Sequence, residues 1–528
     1  MLDCSRNGVM RVDMVKKYAG ILAKMGYNTL MLYTEDTYEI PEEPYFGHLR
    51  GRYSKAELKE IDRFCLSVGV ELIPCIQTLS HLETIFRWPV YAGVRDRGAL
   101  LLADEEQTYA LIEKMLKSLR ECFTSDIIHI GMDEAGDLGL GTHLARFGYQ
   151  EAGDIFIRHL KRVCKLAEKY GFRPLIWSDM LFKIIGKNYF FEDGEPLYTC
   201  PGTLKDELPE NLGLAYWYYW IGRRGSHEKM LAVHEELCRG KKENVWFAGG
   251  CWSWTGLVPK NRYSLKTMAV AMDACREKNV DNVVLTLWGD GGKEGSYFSM
   301  LPSLLWLIER AKGNFDEGAV RQKFREITGE DYDEFMALDL IGDGEYCGEE
   351  NPLSYMLYDD PLMNIYAHTA PDRQDLSGYA KRLSDYAQTS GYRELFGAMA
   401  AYADLMSIKY GLGKKTRALY EARDSEGLNK LLAEYDLAIA KLEVFIDKYE
   451  ALWRGENKAF GWEVQTIRLG GLLLRLKNCK GRLKKFLATG EKIEELEEEP
   501  LDIYGRGVDL SDKQCLAYWN HVVTKNNL

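Results

Sequence analysis

From the first residue to about position 312, short runs of apolar, β-prone residues alternate with longer stretches whose apolar positions recur three and four apart. Eight short runs are present: Met1–Cys4, Thr29–Tyr33, Glu71–Ile76, Ile127–Gly131, Pro174–Trp177, Leu214–Tyr218, Val245–Gly249 and Val283–Leu287. Between them Val12–Met25, Lys55–Val68, Glu105–Cys122, Gly153–Tyr170, His227–Cys238 and Leu265–Lys278 predict amphipathic helices. Gly26, Gly69 and Gly171 sit just past the last turn of three of these, where a left-handed residue ends a helix. An open doubly wound sheet would give the same alternation. Nearly every run, however, ends in chemically capable side chains: Asp3 and Arg6, Glu35 and Asp36, Gln77 and His81, Asp133 and Glu134, Trp177 and Asp179, Tyr218, Trp252 and Trp254, Trp288 and Asp290. An open sheet gathers such groups at one switch point, whereas a barrel converges all strand ends on one mouth. The expected fold is therefore α/β, a (β/α)8 barrel over residues 1–312. A helical C-terminal domain over 313–528 follows, with long helices in Asp375–Tyr386, Tyr392–Tyr410, Asp424–Leu452 and Gly461–Thr489.

Composition narrows the partners. Of 528 residues 46% are hydrophobic and 28% charged, the balance of a globular protein, and no run approaches transmembrane length. The formal net charge of −12 disfavours nucleic acid, whose binding rests on clustered Lys and Arg. The 12 cysteines, Cys515 among them, are scattered without CxxC spacing and read as reduced thiols, not a zinc site. No cationic segment followed by an apolar one opens the chain, which favours a cytoplasmic address. Met1–Arg6 reads as the interior of a strand, which leaves room for an upstream segment or signal. The like-charged Glu491–Pro500 reads as a solvated helix end, and Glu463 and Arg468 as a packing or ion-pair element. Gly136–Gly141 and Gly289–Gly295 lack phosphate-cradling spacing and are expected to be loops at the barrel mouth.

The sharpest feature is His129-Ile-Gly131-Met132-Asp133-Glu134, an apolar strand running into two carboxylates. Period-two alternation points His129, Gly131 and Asp133 into the barrel, with Gly131 leaving room beneath a ligand and Met132 facing the helices. Neighbouring carboxylates do not ionise independently, and glycosidic cleavage uses one protonated and one charged group. On spacing alone the pair could equally be a helix N-terminal feature. The recurrence of Trp177, Trp217, Trp252, Trp254 and Trp288 at strand ends favours a carbohydrate pocket, since aromatic faces suit the apolar face of a sugar ring. Arg6, His81 and Asp290 could bind hydroxyls.

His129-Ile-Gly-Met-Asp133-Glu134 resembles the His-x-Gly-Gly-Asp-Glu signature of glycoside hydrolase family 20, the β-N-acetylhexosaminidases. Leu2-Asp-Cys-Ser-Arg6, Gln77-Thr-Leu-Ser-His81, Leu175-Ile-Trp177-Ser-Asp179 and Leu285-Thr-Leu-Trp288-Gly-Asp290 resemble its first, third, fifth and eighth strand ends. With Tyr33-Thr-Glu-Asp36 and Gly461-Trp-Glu-Val, the pattern is most similar to the hexosaminidase D-like branch. The resemblance implies an exo-acting, retaining hydrolase of terminal β-linked GlcNAc or GalNAc in which the substrate's acetamido oxygen is the nucleophile. Glu134 is then the general acid and base, and Asp133 orients the acetamido N–H. It implies that Tyr218 grips the acetamido oxygen, with Tyr216 or Tyr219 in its place if the register shifts. Trp177, Trp252 and Trp288 would wall the pocket, while Arg6, His81 and Asp290 would hold the sugar. Met132 departs from the signature's second glycine. No cofactor or metal is called for. The expected partner is an N-acetylhexosamine-containing glycan or glycoconjugate, with no nucleic acid or membrane, and a homodimer is compatible with the helical region. Two other readings are a metal-dependent hydrolase using Asp36, His81, His129 and Asp133, and a non-catalytic N-acetylhexosamine-binding protein.

Overall fold

The computed structural model describes residues 1–186, 190–192, 195–197, 201–343, 352–365 and 375–499. Eight parallel strands follow one another around a barrel: β1 (Leu2–Asp3), β2 (Thr29–Tyr33), β3 (Glu71–Cys75), β4 (Ile127–His129), β5 (Arg173–Trp177), β8 (Gly213–Trp217), β9 (Val245–Gly250) and β10 (Asn282–Thr286). A two-stranded hairpin, β6 (Phe190–Glu192) and β7 (Glu195–Leu197), lies in the crossover from β5 to β8. The ring is closed between β10 and β1, where Leu287 N donates to Met1 O at 3.0 Å and Asp3 N to Leu287 O at 3.1 Å. Each predicted run coincides with a strand to within two residues at either end.

Alternation along the strands builds two cores. Met31, Tyr33, Ile73, Cys75, Leu175, Trp177, Ala215, Trp246 and Ala248 fill the barrel interior. Their neighbours Leu30, Leu32, Leu72, Ile176, Leu214, Tyr216 and Phe247 pack outward against the helices. Gly26 ends the helix Val12–Met25 at φ +101°, and Gly69 and Gly171 take the same left-handed conformation, as their positions predict.

Beyond the helix Leu301–Ala311 the described chain is helical. The four predicted long helices appear as Leu376–Ala387, Arg393–Lys409, Ser425–Glu456 and Trp462–Thr489, joined by Glu317–Thr328 and Leu412–Glu421, which the pattern did not single out. The link between the two longest helices returns to the barrel, with Arg11 N donating to Glu456 O at 2.9 Å and Lys458 N to Val9 O at 2.8 Å. The Glu491–Pro500 charge run is more than a solvated end. Arg417 donates to the carbonyls of Glu495, Leu496 and Glu498, and Glu495 pairs with Arg482, while Pro500 lies outside the described residues. Nine described cysteines are free and buried; Cys200, Cys347 and Cys515 lie outside the described residues. Among the described residues no helix is long and apolar enough to cross a membrane.

Candidate active site

The β4 ladder stops at His129 because the backbone turns left-handed immediately afterwards, with φ of +74° at Gly131, +74° at Met132 and +52° at Glu134. Gly131 is needed there: a Cβ would collide with the Gln77 amide, so the space beneath it belongs to Gln77 and not to a ligand. Met132 takes the same conformation without being glycine, at a cost of roughly 1 kcal/mol, offset by burial of its side chain in the core between sheet and helices.

This turn separates the two carboxylates. Asp133 points inward, accepting from Gln77 Nε2 at 2.7 Å and lying 3.3 Å from His81 Nε2. Burial works against its charge, but His81 and the Gln77 hydrogen bond prevail and hold it down at about 2. Burial likewise opposes the His81 cation, and Asp133 overcomes this to hold the imidazole up at about 9. Glu134 reaches over the rim with its side chain 54% exposed and Oε2 3.5 Å from His81 Nε2. Its backbone N–H donates to Asp179 Oδ2 at 3.2 Å, the oxygen that Lys183 also approaches at 3.1 Å. Burial raises Asp179 to about 6 despite that lysine.

Arg6 bridges three strand ends. Its Nε lies 3.1 Å from Glu35 Oε1 and Nη1 3.1 Å from Asp290 Oδ1, while Nη2 comes within 3.4 Å of His81 Nδ1, where its charge opposes the His81 cation. Asp3 fixes the base of this arm, accepting from Ser5 N at 2.8 Å through Oδ1 and from Gly289 N at 2.9 Å through Oδ2. Burial pushes Glu35 up to about 8 and Asp290 to about 6, against the pull of Arg6 in both cases. Tyr33 OH donates to Glu35 at 3.1 Å and receives Gln77 Nε2 at 2.9 Å, linking the arginine cluster to the Asp133 cluster.

These groups surround a pocket of about 200 Å³ whose walls are Trp177, Trp217, Tyr219, Trp220, Trp254 and Trp288. Arg6, His81, Asp133, Glu134, Trp177, Trp288 and Asp290 thus meet in one place, while Tyr218 and Trp252 do not line it. Inward positions on β8 and just past its end run Ala215, Trp217, Tyr219, so Tyr218 packs outward with His227 at 5.4 Å between ring centroids. Trp252 lies behind the wall, stacked on Trp254 at 4.5 Å and donating Nε1 to Tyr219 O at 2.9 Å. The small Gly213 and Ala215 on the inward face were the signal that could have chosen Tyr219. His129 is a neutral core histidine, depressed by burial to about 3, with its ring 4.2 Å from Trp177. Of the groups a metal reading would use, His81 and Asp133 meet, but Asp36 is turned to Arg50 and His129 lies under Trp177. Among the described residues no group of three or more His, Cys, Asp or Glu could hold a metal ion. A second cavity of about 210 Å³ opens at the opposite end of the barrel, between Met1, Thr29 and Val284, far from these groups.

The family model "Glycosyl hydrolase family 20, catalytic domain" matches residues 1–193, and "Glycoside Hydrolase 20C C-terminal domain" matches residues 333–514. Hexosaminidase D of Homo sapiens is 29% identical over 185 residues, covering 32% of this chain and 37% of that protein. Hexosaminidase D of Bos taurus is 29% identical over 171 residues, covering 30% of this chain and 48% of that protein. The match therefore spans less than half the length of either relative. Among solved structures, an exo-β-N-acetylglucosaminidase of Vibrio harveyi in complex with N-acetylglucosamine is 15% identical with a TM-score of 0.46, covering 64% of this chain and 58% of that one.

Proposed function

Since the chain belongs to glycoside hydrolase family 20, we propose that it is an exo-acting β-N-acetylhexosaminidase that retains anomeric configuration through substrate-assisted catalysis. The observation that carries this reading is the unequal carboxylate pair: a charged Asp133 fixed by His81 and Gln77, beside a half-exposed Glu134 at the rim of an indole-walled pocket. In the first step the acetamido oxygen of the terminal sugar attacks C1 as Glu134 gives its proton to the departing glycosidic oxygen. The bond from C1 to that oxygen breaks, and a protonated oxazoline ring forms. Asp133 accepts a hydrogen bond from the acetamido N–H and faces the positive charge that grows there. In the second step Glu134, now a carboxylate, takes a proton from water as that water attacks C1 and reopens the ring, so two inversions retain the configuration.

The remaining pocket residues have roles of orientation. Tyr219 is the phenol nearest in kind to the acetamido-oxygen donor, because it lies on the inward face with Trp217 stacked on it at 5.3 Å. Trp177 and Trp288, 6.1 Å apart between ring centroids, offer apolar faces. Arg6 and Asp290 hold outer hydroxyls, which limits the site to one terminal sugar. The test is a panel of aryl β-glycosides differing only at C2 and C4. Cleavage confined to 2-acetamido sugars is expected, and the C4 pair separates GlcNAc from GalNAc. Equal turnover of 2-hydroxy and 2-acetamido glycosides would overturn the mechanism, and tight binding of N-acetylhexosamine without turnover would favour a binding protein.

A further inference from the structure

We propose that the helical C-terminal region belongs to the sugar-binding machinery, with Arg468 and Gln465 as positioning residues for the Arg6–Asp290 pair. The inference rests on the pocket assigned above, and the observations for it lie outside that pocket. Asp290 sits in a tight turn in which Gly292 N donates to Gly289 O at 2.9 Å and Lys293 N to the same oxygen at 2.7 Å. Such a turn leaves the carbonyls of Gly291 and Gly292 without ladder partners. The helix Trp462–Thr489 supplies them: Arg468 Nη1 donates to Gly291 O at 2.7 Å and Gln465 Nε2 to Gly292 O at 3.1 Å. Residues three apart share one helical face, so a single rigid helix grips both carbonyls next to Asp290.

The Arg6 arm is tied into the same knot. Asn7, left-handed at φ +84°, donates Nδ2 to Gly292 O at 3.2 Å and to Gly461 O at 2.9 Å. Gly461 precedes the helix at φ +94°, and a Cβ there would come within 2.6 Å of Asn7 O. Arg468 is further fixed by Glu294 at 3.0 Å, both side chains nearly buried. Gln465 is the telling residue. Its Oε1 is buried with no hydrogen-bond partner among the described residues. A methionine of similar length would avoid that unmet acceptor, so what the amide contributes is its aim at Gly292.

The experiment uses the full chain and the variants Gln465→Met and Arg468→Lys, the second keeping a cation for Glu294. Each is assayed on an aryl 2-acetamido-2-deoxy-β-glycoside and on its 4-deoxy and 6-deoxy analogues, with thermal midpoints measured alongside. The expected result is a KM raised about five- to tenfold on the parent sugar with kcat changed less than about twofold, as for loss of one or two positioned hydrogen bonds. Gln465→Met should be no less heat-stable than the parent protein. On the analogue lacking the hydroxyl that Arg6 and Asp290 hold, the KM penalty should shrink to under about twofold. An equal penalty on every substrate, or none on any, overturns the positioning role. The same comparison is made by equilibrium binding of N-acetylhexosamine and its deoxy analogues. Failure of the parent protein to turn over the glycoside would then refute the reaction, while binding still decides the role of Arg468 and Gln465.

Discussion

Replacing Asp133 by asparagine removes two charges, not one. Between about pH 2 and pH 9 the parent protein holds an Asp133 carboxylate against a His81 cation. His81 is lifted from 6.5 to about 9 chiefly by Asp133, against burial. At 1.36 kcal/mol per pK unit, that rise is worth roughly 3–4 kcal/mol net of the burial cost, so the support itself is larger. Without it burial, the largest influence on the ring, acts together with Arg6 against the remaining support of Glu35 and Glu134, and in Asp133→Asn the imidazole should titrate below 6.5 and be neutral at pH 7.5. The substitution therefore deletes an ion pair whose negative end faces the pocket, so the lost field is that of a dipole and not of a lone anion. With the lost hydrogen bond to the acetamido N–H, kcat should fall about 10²- to 10³-fold, corresponding to roughly 3–4 kcal/mol. The assays are hydrolysis of an aryl 2-acetamido glycoside, binding of an oxazoline-mimicking thiazoline, and NMR titration of His81. Stability gives an independent readout. His81, raised on folding, contributes stability that is complete below pH 6.5 and lost as pH rises through about 9. Asp133, lowered on folding, contributes stability present above pH 3.8 and lost as pH falls through about 2. The parent should thus exceed the variant most between about pH 4 and 6.5 and lose the advantage above about pH 9. Unchanged thiazoline affinity, or a His81 that still titrates near 9 in the variant, would refute the reasoning.

Three further outcomes are expected. Glu134→Gln should lower kcat by about 10²- to 10⁴-fold for poor leaving groups while leaving thiazoline binding within about threefold; comparable losses in both would contradict the proton-donor role. Tyr219→Phe should reduce kcat more than Tyr218→Phe, by about tenfold or more for one lost hydrogen bond to the reacting amide, and the reverse order in steady-state kinetics would return the role to Tyr218. Lys183→Met removes the cation beside Asp179, which burial already raises to about 6. Its carboxyl should then titrate higher still, and a pH–kcat profile with an unmoved acidic limb would show that this pair does not govern the position of Glu134.

The sequence made the barrel legible because each strand alternates cleanly. Leu30 and Leu32 face the helices and Met31 and Tyr33 the interior, so period two was visible before any contact was known. Arg6, His81, Asp133, Glu134 and Asp290 could be found for a related reason, since polar groups at the ends of apolar strands have few other places to go. Among the adjacent aromatics Tyr219 and not Tyr218 lines the pocket, and Ala215 marks that inward face two and four residues before Trp217 and Tyr219. Trp252 follows the end of β9, where alternation no longer fixes direction, and the chain carries it behind Trp254. The contacts of Gln77 with Tyr33 and Asp133 join the C-terminal ends of three different strands, and no local pattern reports them. The grip of Arg468 on Gly291 spans the two halves of the chain and is still less visible in sequence.

How two adjacent carboxylates come to differ is a question about the backbone. On a regular strand residues 133 and 134 would point to opposite faces, one into the barrel and one into the helical layer, and no acid could reach a sugar from the second position. The left-handed turn through Gly131, Met132 and Glu134 breaks that alternation and brings both side chains to the mouth. Asp133 lands where Gln77 and His81 secure its charge, and Glu134 lands at the rim, with its N–H tied to Asp179. The turn is strained at two non-glycine residues, and strain of this kind persists only where the surroundings over-determine it. Here they do: Gln77 receives Met132 N at 3.2 Å, Met132 is locked in the outer core, and Asp179 holds Glu134. The difference in chemistry between the two acids is thus set by three backbone angles and the buried amide that enforces them, not by the acids themselves.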